Sequence, residues 1–138
     1  MSEDKTQQII DELLKEYPIF EQLEFNEFTM DDKSRSNSLL AMKYRDLAIV
    51  EKNIYERMEL LMEKVRGERY HYYKFEMDEQ LQKTEIEQYY LPADEKIIKL
   101  KKLMLNQKVR VDFFESAYKA ISSQQWNIKN ILENQRMS

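Results

Sequence analysis

Residues 93–122, ADEKIIKLKKLMLNQKVRVDFFESAYKAIS, decide the fold. Ile97, Leu100, Met104, Gln107, Val111, Phe114, Tyr118 and Ile121 alternate by threes and fours without a skip, and only Gln107 among them is polar. A strand would repeat every second residue, so this spacing is one face of an α-helix. At a rise of ~1.5 Å per residue the helix would run ~45 Å, too long for a compact core in a chain of this size. Pro92 suits the first turn, and Asp94 and Glu95 complement the positive end of the helix dipole. Past the seam, Ser122 or Ser123 is expected to cap a final helix over 124–135, with Trp126, Ile128, Ile131 and Leu132 as its apolar positions.

A second seam lies upstream. Leu40, Leu47, Ile54 and Leu61 recur every seventh residue, with Tyr44, Glu51, Met58 and Val65 between them. This predicts a helix over 39–66, capped from Ser36, Asn37 or Ser38. Glu51 is the one acid in that seam and is expected at a solvated margin. Gly67, the only glycine, is expected to mark a helix end or bend. Residues 5–17 form a short amphipathic helix with Ile9, Ile10, Leu13, Leu14 and Tyr17 on one side, stopped at Pro18. Residues 18–38, with the polar tract DDKSRSNS, are expected as a loop or short helical piece.

The predicted fold is therefore all-α: two long helices in a coiled-coil-like hairpin with short flanking helices. As one domain it divides into an N-terminal helix and loop (1–38), a first arm (39–75), an acidic connector (76–92) and C-terminal helices (93–138). One Gly and two Pro in 138 residues are too few for the turns of a sheet protein. A mean hydropathy of -0.78 leaves a monomeric core thin. Leu103, Leu105, Val109, Phe113 and Trp126 lie off the seam, and apolar groups on more than one helix face need a further partner. Self-association is the expected answer, with Val111, Phe114, Tyr118, Ile121, Trp126, Ile128 and Ile131 as the candidate contact residues.

Composition excludes several classes. Without Cys there are no disulfides or thiolate metal sites. With one Gly there is no phosphate-binding glycine loop. With His71 as the sole His there is no His-pair metal site, and nothing in the spacing orients a catalytic partner for it. No enzyme, cofactor or metal site is expected. MSEDKTQQ lacks the pattern of a signal peptide, and no apolar run approaches the ~20 residues of a membrane span.

The net charge of -4 conceals a segregation. Residues 1–37 carry 4 basic and 10 acidic side chains, and 76–95 carry 1 and 7. Residues 38–75 carry 8 basic and 6 acidic, and 96–138 carry 9 and 3. Distant surface charge is screened beyond ~8–10 Å, so a phosphate responds to the nearest patch rather than to the total. One patch combines cations with rings: Lys64, Arg66, Arg69 and Lys74 surround Tyr70, Tyr72 and Tyr73, with His71 and Phe75 among them. Cations hold a sugar-phosphate backbone and flat rings stack on unpaired bases, at ~1–3 kcal/mol per base. Such a patch would favour single strands over duplex. The other reading is that the tyrosines pack into a core or interface and the cations are merely solvated. Lys96, Lys99, Lys101 and Lys102 lie on the polar face of the long helix and would add diffuse attraction to phosphate.

The order of residues resembles the UvsY family of phage recombination mediators. KTEIEQYYLPADEKIIKLKK (83–102) is similar to that family's entry into its long helix, and VDFFESAYKAISSQQWNIKNI (111–131) to its C-terminal run. The matching positions include Asp112, Phe113, Ala117, Ala120, Ile121, Ser123, Trp126, Ile128, Lys129 and Ile131; the N-terminal half matches loosely. The family's motif K-x-R-x-x-Y-Y meets Arg69, Tyr72 and Tyr73, while Gly67 stands where the family has Lys, a charge that Arg66 or Lys64 would have to supply. The resemblance implies a non-enzymatic mediator of recombination, repair and replication in the cytoplasm of an infected bacterial host. It implies single-stranded DNA, a UvsX-like recombinase and the phage single-strand-binding protein as partners. It also implies a homo-oligomeric ring of roughly six or seven subunits, assembled through the C-terminal region. Residue reading alone leaves open a coiled-coil scaffold that binds only proteins.

Overall fold

The computed structural model describes residues 5–137. They form helices α1 (Thr6–Glu16), α2 (Ile19–Gln22), α3 (Met30–His71), α4 (Lys83–Glu85), α5 (Leu91–Ala93) and α6 (Glu95–Met137). π-Helical turns occupy Tyr72–Glu76 and Ile86–Tyr90. No strand occurs among the described residues. The all-α expectation and its two long helices hold.

Both long helices exceed their expected bounds. α3 starts at Met30 because a turn at Asn26–Thr29 begins it: Asn26 Oδ1 accepts from the Phe28 and Thr29 amides at 2.9 and 3.1 Å. The Thr29 carbonyl then accepts from the Lys33 amide at 2.9 Å, and Asp31 and Asp32 complement the dipole of the first turn. The tract DDKSRSNS is thus helical. Its polarity faces polar groups of α6, with Asn37 Nδ2 donating to Gln124 Oε1 at 2.8 Å and Gln125 Nε2 to the Ser34 carbonyl at 2.8 Å. Asn37 is fully buried there. Neither serine at 122–123 ends α6. The seam runs on through half-buried Gln124 and Gln125 to buried Ile128, and one helix of 43 residues results. Gly67 lies inside α3, its backbone without positive φ.

Two compact units divide the chain, and each has its own core. Unit 1 comprises residues 1–52 and 109–138. Leu13, Ile19, Tyr44, Ala48, Phe114, Ala117 and Ile121 form its centre. The edge of the Phe114 ring meets Tyr17, with centroids 5.0 Å apart and planes at 84°. Numbers rise along α3 as they fall along α6 through the pairs Ser34–Gln125, Asn37–Gln124 and Glu51–Arg110, so the helices run antiparallel here. Glu51 is not at a solvated margin. It is 8% exposed and accepts from Arg110 Nη2 at 2.9 Å. A buried carboxylate needs such a partner. The hydrogen bond to Glu51 holds the Arg110 guanidinium above its ordinary range.

Unit 2 comprises residues 53–108. Leu81, Ile86, Leu91 and Ile97 are its buried centre, with Met62, Val65, Tyr70, Tyr73, Met77 and Tyr90 packed against it. Leu61, expected in the seam, is 47% exposed, and Met62 packs in its place. The inward row has moved by one position, as a helical row does when two four-residue steps follow each other.

Candidate nucleic-acid interface

The basic-aromatic stretch spans the end of α3 and the π-helical turn after it, all within unit 2. The anchor of this region is Asp94, which the sequence suggests only as a dipole partner. Its backbone is extended (φ -67°, ψ 128°), its carbonyl accepts from the Ile98 amide at 2.9 Å, and its Oδ1 accepts from the Ile97 amide at 3.1 Å. It is the N-cap of α6. Its second oxygen, Oδ2, accepts from Arg69 Nε at 2.7 Å and from the Tyr73 hydroxyl at 2.5 Å.

These bonds set the electrostatics. Burial opposes ionisation of Asp94, but the hydrogen bonds from Tyr73, Arg69 and the Ile97 amide outweigh it, and the carboxyl titrates below its ordinary value. The bond to Asp94 raises Arg69. Burial first, then the bond to Asp94, raises Tyr73. Asp94 and Arg69 are therefore a charged pair, with Tyr73 neutral at physiological pH.

The six residues expected to meet DNA fall into two groups. Arg69, Tyr73 and Lys74 are engaged inside unit 2. Tyr73 packs on Tyr90 with centroids 5.3 Å apart, and Lys74 Nζ donates to the Leu81 carbonyl at 3.1 Å. Lys64, Arg66 and Tyr72 are exposed. Lys64 lies 4.0 Å from Glu68 in a solvated contact worth little. Arg66 makes no ion pair among the described residues. The guanidinium carbon of Arg69 lies 4.4 Å from the Tyr72 ring centroid, a cation–π contact. It backs one ring while the ring itself remains 37% exposed.

Two further residues of unit 2 belong to this region. Phe75 is 68% exposed and packs on His71 at 4.9 Å. Lys96, at the start of α6, lines a shallow concavity of about 470 Å³ with Gly67, Glu68, Arg69, His71, Tyr72 and Glu76. Only the fold could select Lys96 from the four lysines of its run. Arg69 and Lys96 share this lining with Glu68 and Glu76, so stacking rather than bulk charge distinguishes it. No group of residues suited to a metal ion occurs among the described residues, and no described helix is long and apolar enough to cross a membrane.

The residues expected at subunit contacts also divide. Val111, Phe114, Ile121 and Ile128 are buried inside the chain, and Tyr118 packs against the unit 1 core. Trp126 is 66% and Ile131 39% exposed. Off-seam Leu103 and Leu105 are also exposed, whereas Phe113 and Val109 line an apolar groove of unit 1.

Comparison with known proteins bears on the fold and the family. No curated protein sequence matches the chain. Crystal structures of the bacteriophage T4 recombination mediator protein UvsY share its fold. One lattice form has a TM-score of 0.75 at 20% identity, covering 92% of this chain and 96% of that one. A second gives 0.75 at 21% identity over 92% and 95%. The family model for the recombination, repair and single-stranded-DNA-binding protein UvsY matches residues 21–138. The chain belongs to the UvsY family of recombination, repair and single-stranded-DNA-binding proteins.

Proposed function

We propose that this chain binds single-stranded DNA through the end of α3 and the turn after it, where Lys64, Arg66 and Tyr72 are exposed, supported by Arg69, Tyr73 and Lys74. It then promotes loading of a UvsX-like recombinase onto DNA covered by the phage single-strand-binding protein, in the cytoplasm of an infected host. The observation that carries this reading is the exposed Tyr72 ring backed by the Arg69 guanidinium, with exposed Arg66 in the last two turns of the same helix. A flat ring with a cation behind it suits a base and its phosphate together, whatever the base. Phe75 adds a second exposed ring. The chemistry required is binding and remodelling, not catalysis.

Labour divides along the chain. The first arm, 39–75, carries the DNA-contacting end, and 93–138 assembles a homo-oligomeric ring. Exposed Trp126 and Ile131 support this assembly, and Val111, Phe114, Tyr118, Ile121 and Ile128 shape the helix that presents them. A ring multiplies weak patches through effective concentration, which offsets the net charge of -4. The test is the triple variant Lys64→Ala, Arg66→Ala, Tyr72→Ala, with fluorescence anisotropy on a labelled oligothymidylate at several salt concentrations. Affinity should fall at least about tenfold and the salt slope should flatten. Unchanged affinity and slope in a folded, assembled variant would remove this face from the mechanism. Wild type that assembles without any salt-dependent DNA binding would favour a protein-only scaffold.

A further inference from the structure

Asp94 accepts three hydrogen bonds, from Arg69 Nε, the Tyr73 hydroxyl and the Ile97 amide. Its side chain is 2% exposed, whereas that of Arg69 is 20% exposed. A guanidinium has five N–H donors in a planar fork. Among the described residues, Asp94 receives Arg69 through Nε alone. The terminal nitrogens of Arg69 therefore retain capacity for an oxygen anion. The Tyr72 ring lies 4.4 Å and the Tyr73 ring 5.3 Å from the centre of that guanidinium, so a phosphodiester would approach along its outer edge, next to the exposed Tyr72 ring.

We propose that Asp94 sets the DNA affinity of this face, standing in for a phosphate on Arg69. This deepens the single-stranded-DNA reading above and rests on it. The carboxylate has two opposed effects. It fixes a flexible cation, which favours binding. It also cancels that cation's charge and stands close to any incoming phosphate, which opposes binding. The second effect prevails because the pair is largely shielded from solvent, where charge is screened least. An arginine already neutralised also contributes little to counterion release from the strand. Each subunit thus holds DNA weakly, and strong binding requires many subunits at once.

Asn and Ser cap helices about as well as Asp does, so the charge can be removed while the cap is kept. Wild type, Asp94→Asn and Asp94→Ser are compared on a labelled oligothymidylate across salt concentrations, with helicity followed by circular dichroism. Both variants should bind about tenfold more tightly at low salt. The slope of log affinity against log salt should steepen by about 0.7, the value for one added phosphate contact on a single strand. Adding Arg69→Gln to either variant should abolish the gain. Wild type that binds DNA, with folded variants that bind equally or less tightly, would overturn the role of Asp94 alone. Absence of binding in wild type and both variants would overturn the DNA reading itself. A variant that loses helicity would show that the charge serves the fold, which also overturns the proposal.

Discussion

A methyl group added at Gly67 would meet no atom within 4 Å beyond its chain neighbours and the surrounding helix backbone, and φ there is not positive. Glycine's isolation in the sequence suggests a helix end, yet nothing in the structure requires it. Gly67→Ala should therefore stabilise the protein by about 0.8–1.0 kcal/mol, the helix-interior difference between the two residues. A lower midpoint in urea unfolding would contradict that. Gly67→Lys has the same room, and would restore the cation of the family motif on the wall of the concavity beside Tyr72. It should tighten binding to single-stranded DNA. Phe114 is the opposite case. It is fully buried against Tyr17, Tyr44 and Phe113, so Phe114→Ala should cost about 3–5 kcal/mol through the cavity it leaves. Retention of wild-type stability would mean that unit 1 repacks freely. Phe114 therefore probes the fold, and exposed Trp126 probes assembly.

The two long helices were legible as elements because their apolar rows repeat by threes and fours. Their ends were not. Buried Asn37 and half-buried Gln124 and Gln125 form a polar layer between α3 and α6, and such a layer reads in the sequence as a loop before residue 39 and as a helix break at Ser122 or Ser123. The same applies to Glu51, whose partner Arg110 lies 59 positions away. The site was half legible. Arg69, Tyr72 and Tyr73 stand out as a motif, but the Arg69–Asp94 contact joins residues 25 apart, so the engagement of Arg69 and Tyr73 appears only in three dimensions. Asp94 also gives unit 2 a pH dependence. Its folded carboxyl titrates below its ordinary value of 3.8. A depressed carboxyl stabilises fully above its unfolded value and loses that contribution as pH falls through the folded one. Unit 2 should weaken as acid is added below 3.8, and Asp94→Asn should flatten that part of the stability profile. An unchanged acid profile in Asp94→Asn would show that other carboxylates govern acid unfolding.

For the molecule as a whole, acidic and basic segments alternate, and apolar side chains remain on the outside of both units. Trp126, Leu103 and Leu105 are exposed in the folded chain, apolar surface that the proposed assembly would cover. Repeating a local patch in an assembly would strengthen binding to a polyanion through effective concentration. The measurement that tests this most directly is the solution mass, by light scattering, with and without an oligothymidylate long enough to span several subunits. The account predicts an assembly of several 16.9 kDa chains that gains the mass of bound DNA at low salt and loses it at high salt. A species of 16.9 kDa whose mass DNA does not change would contradict it.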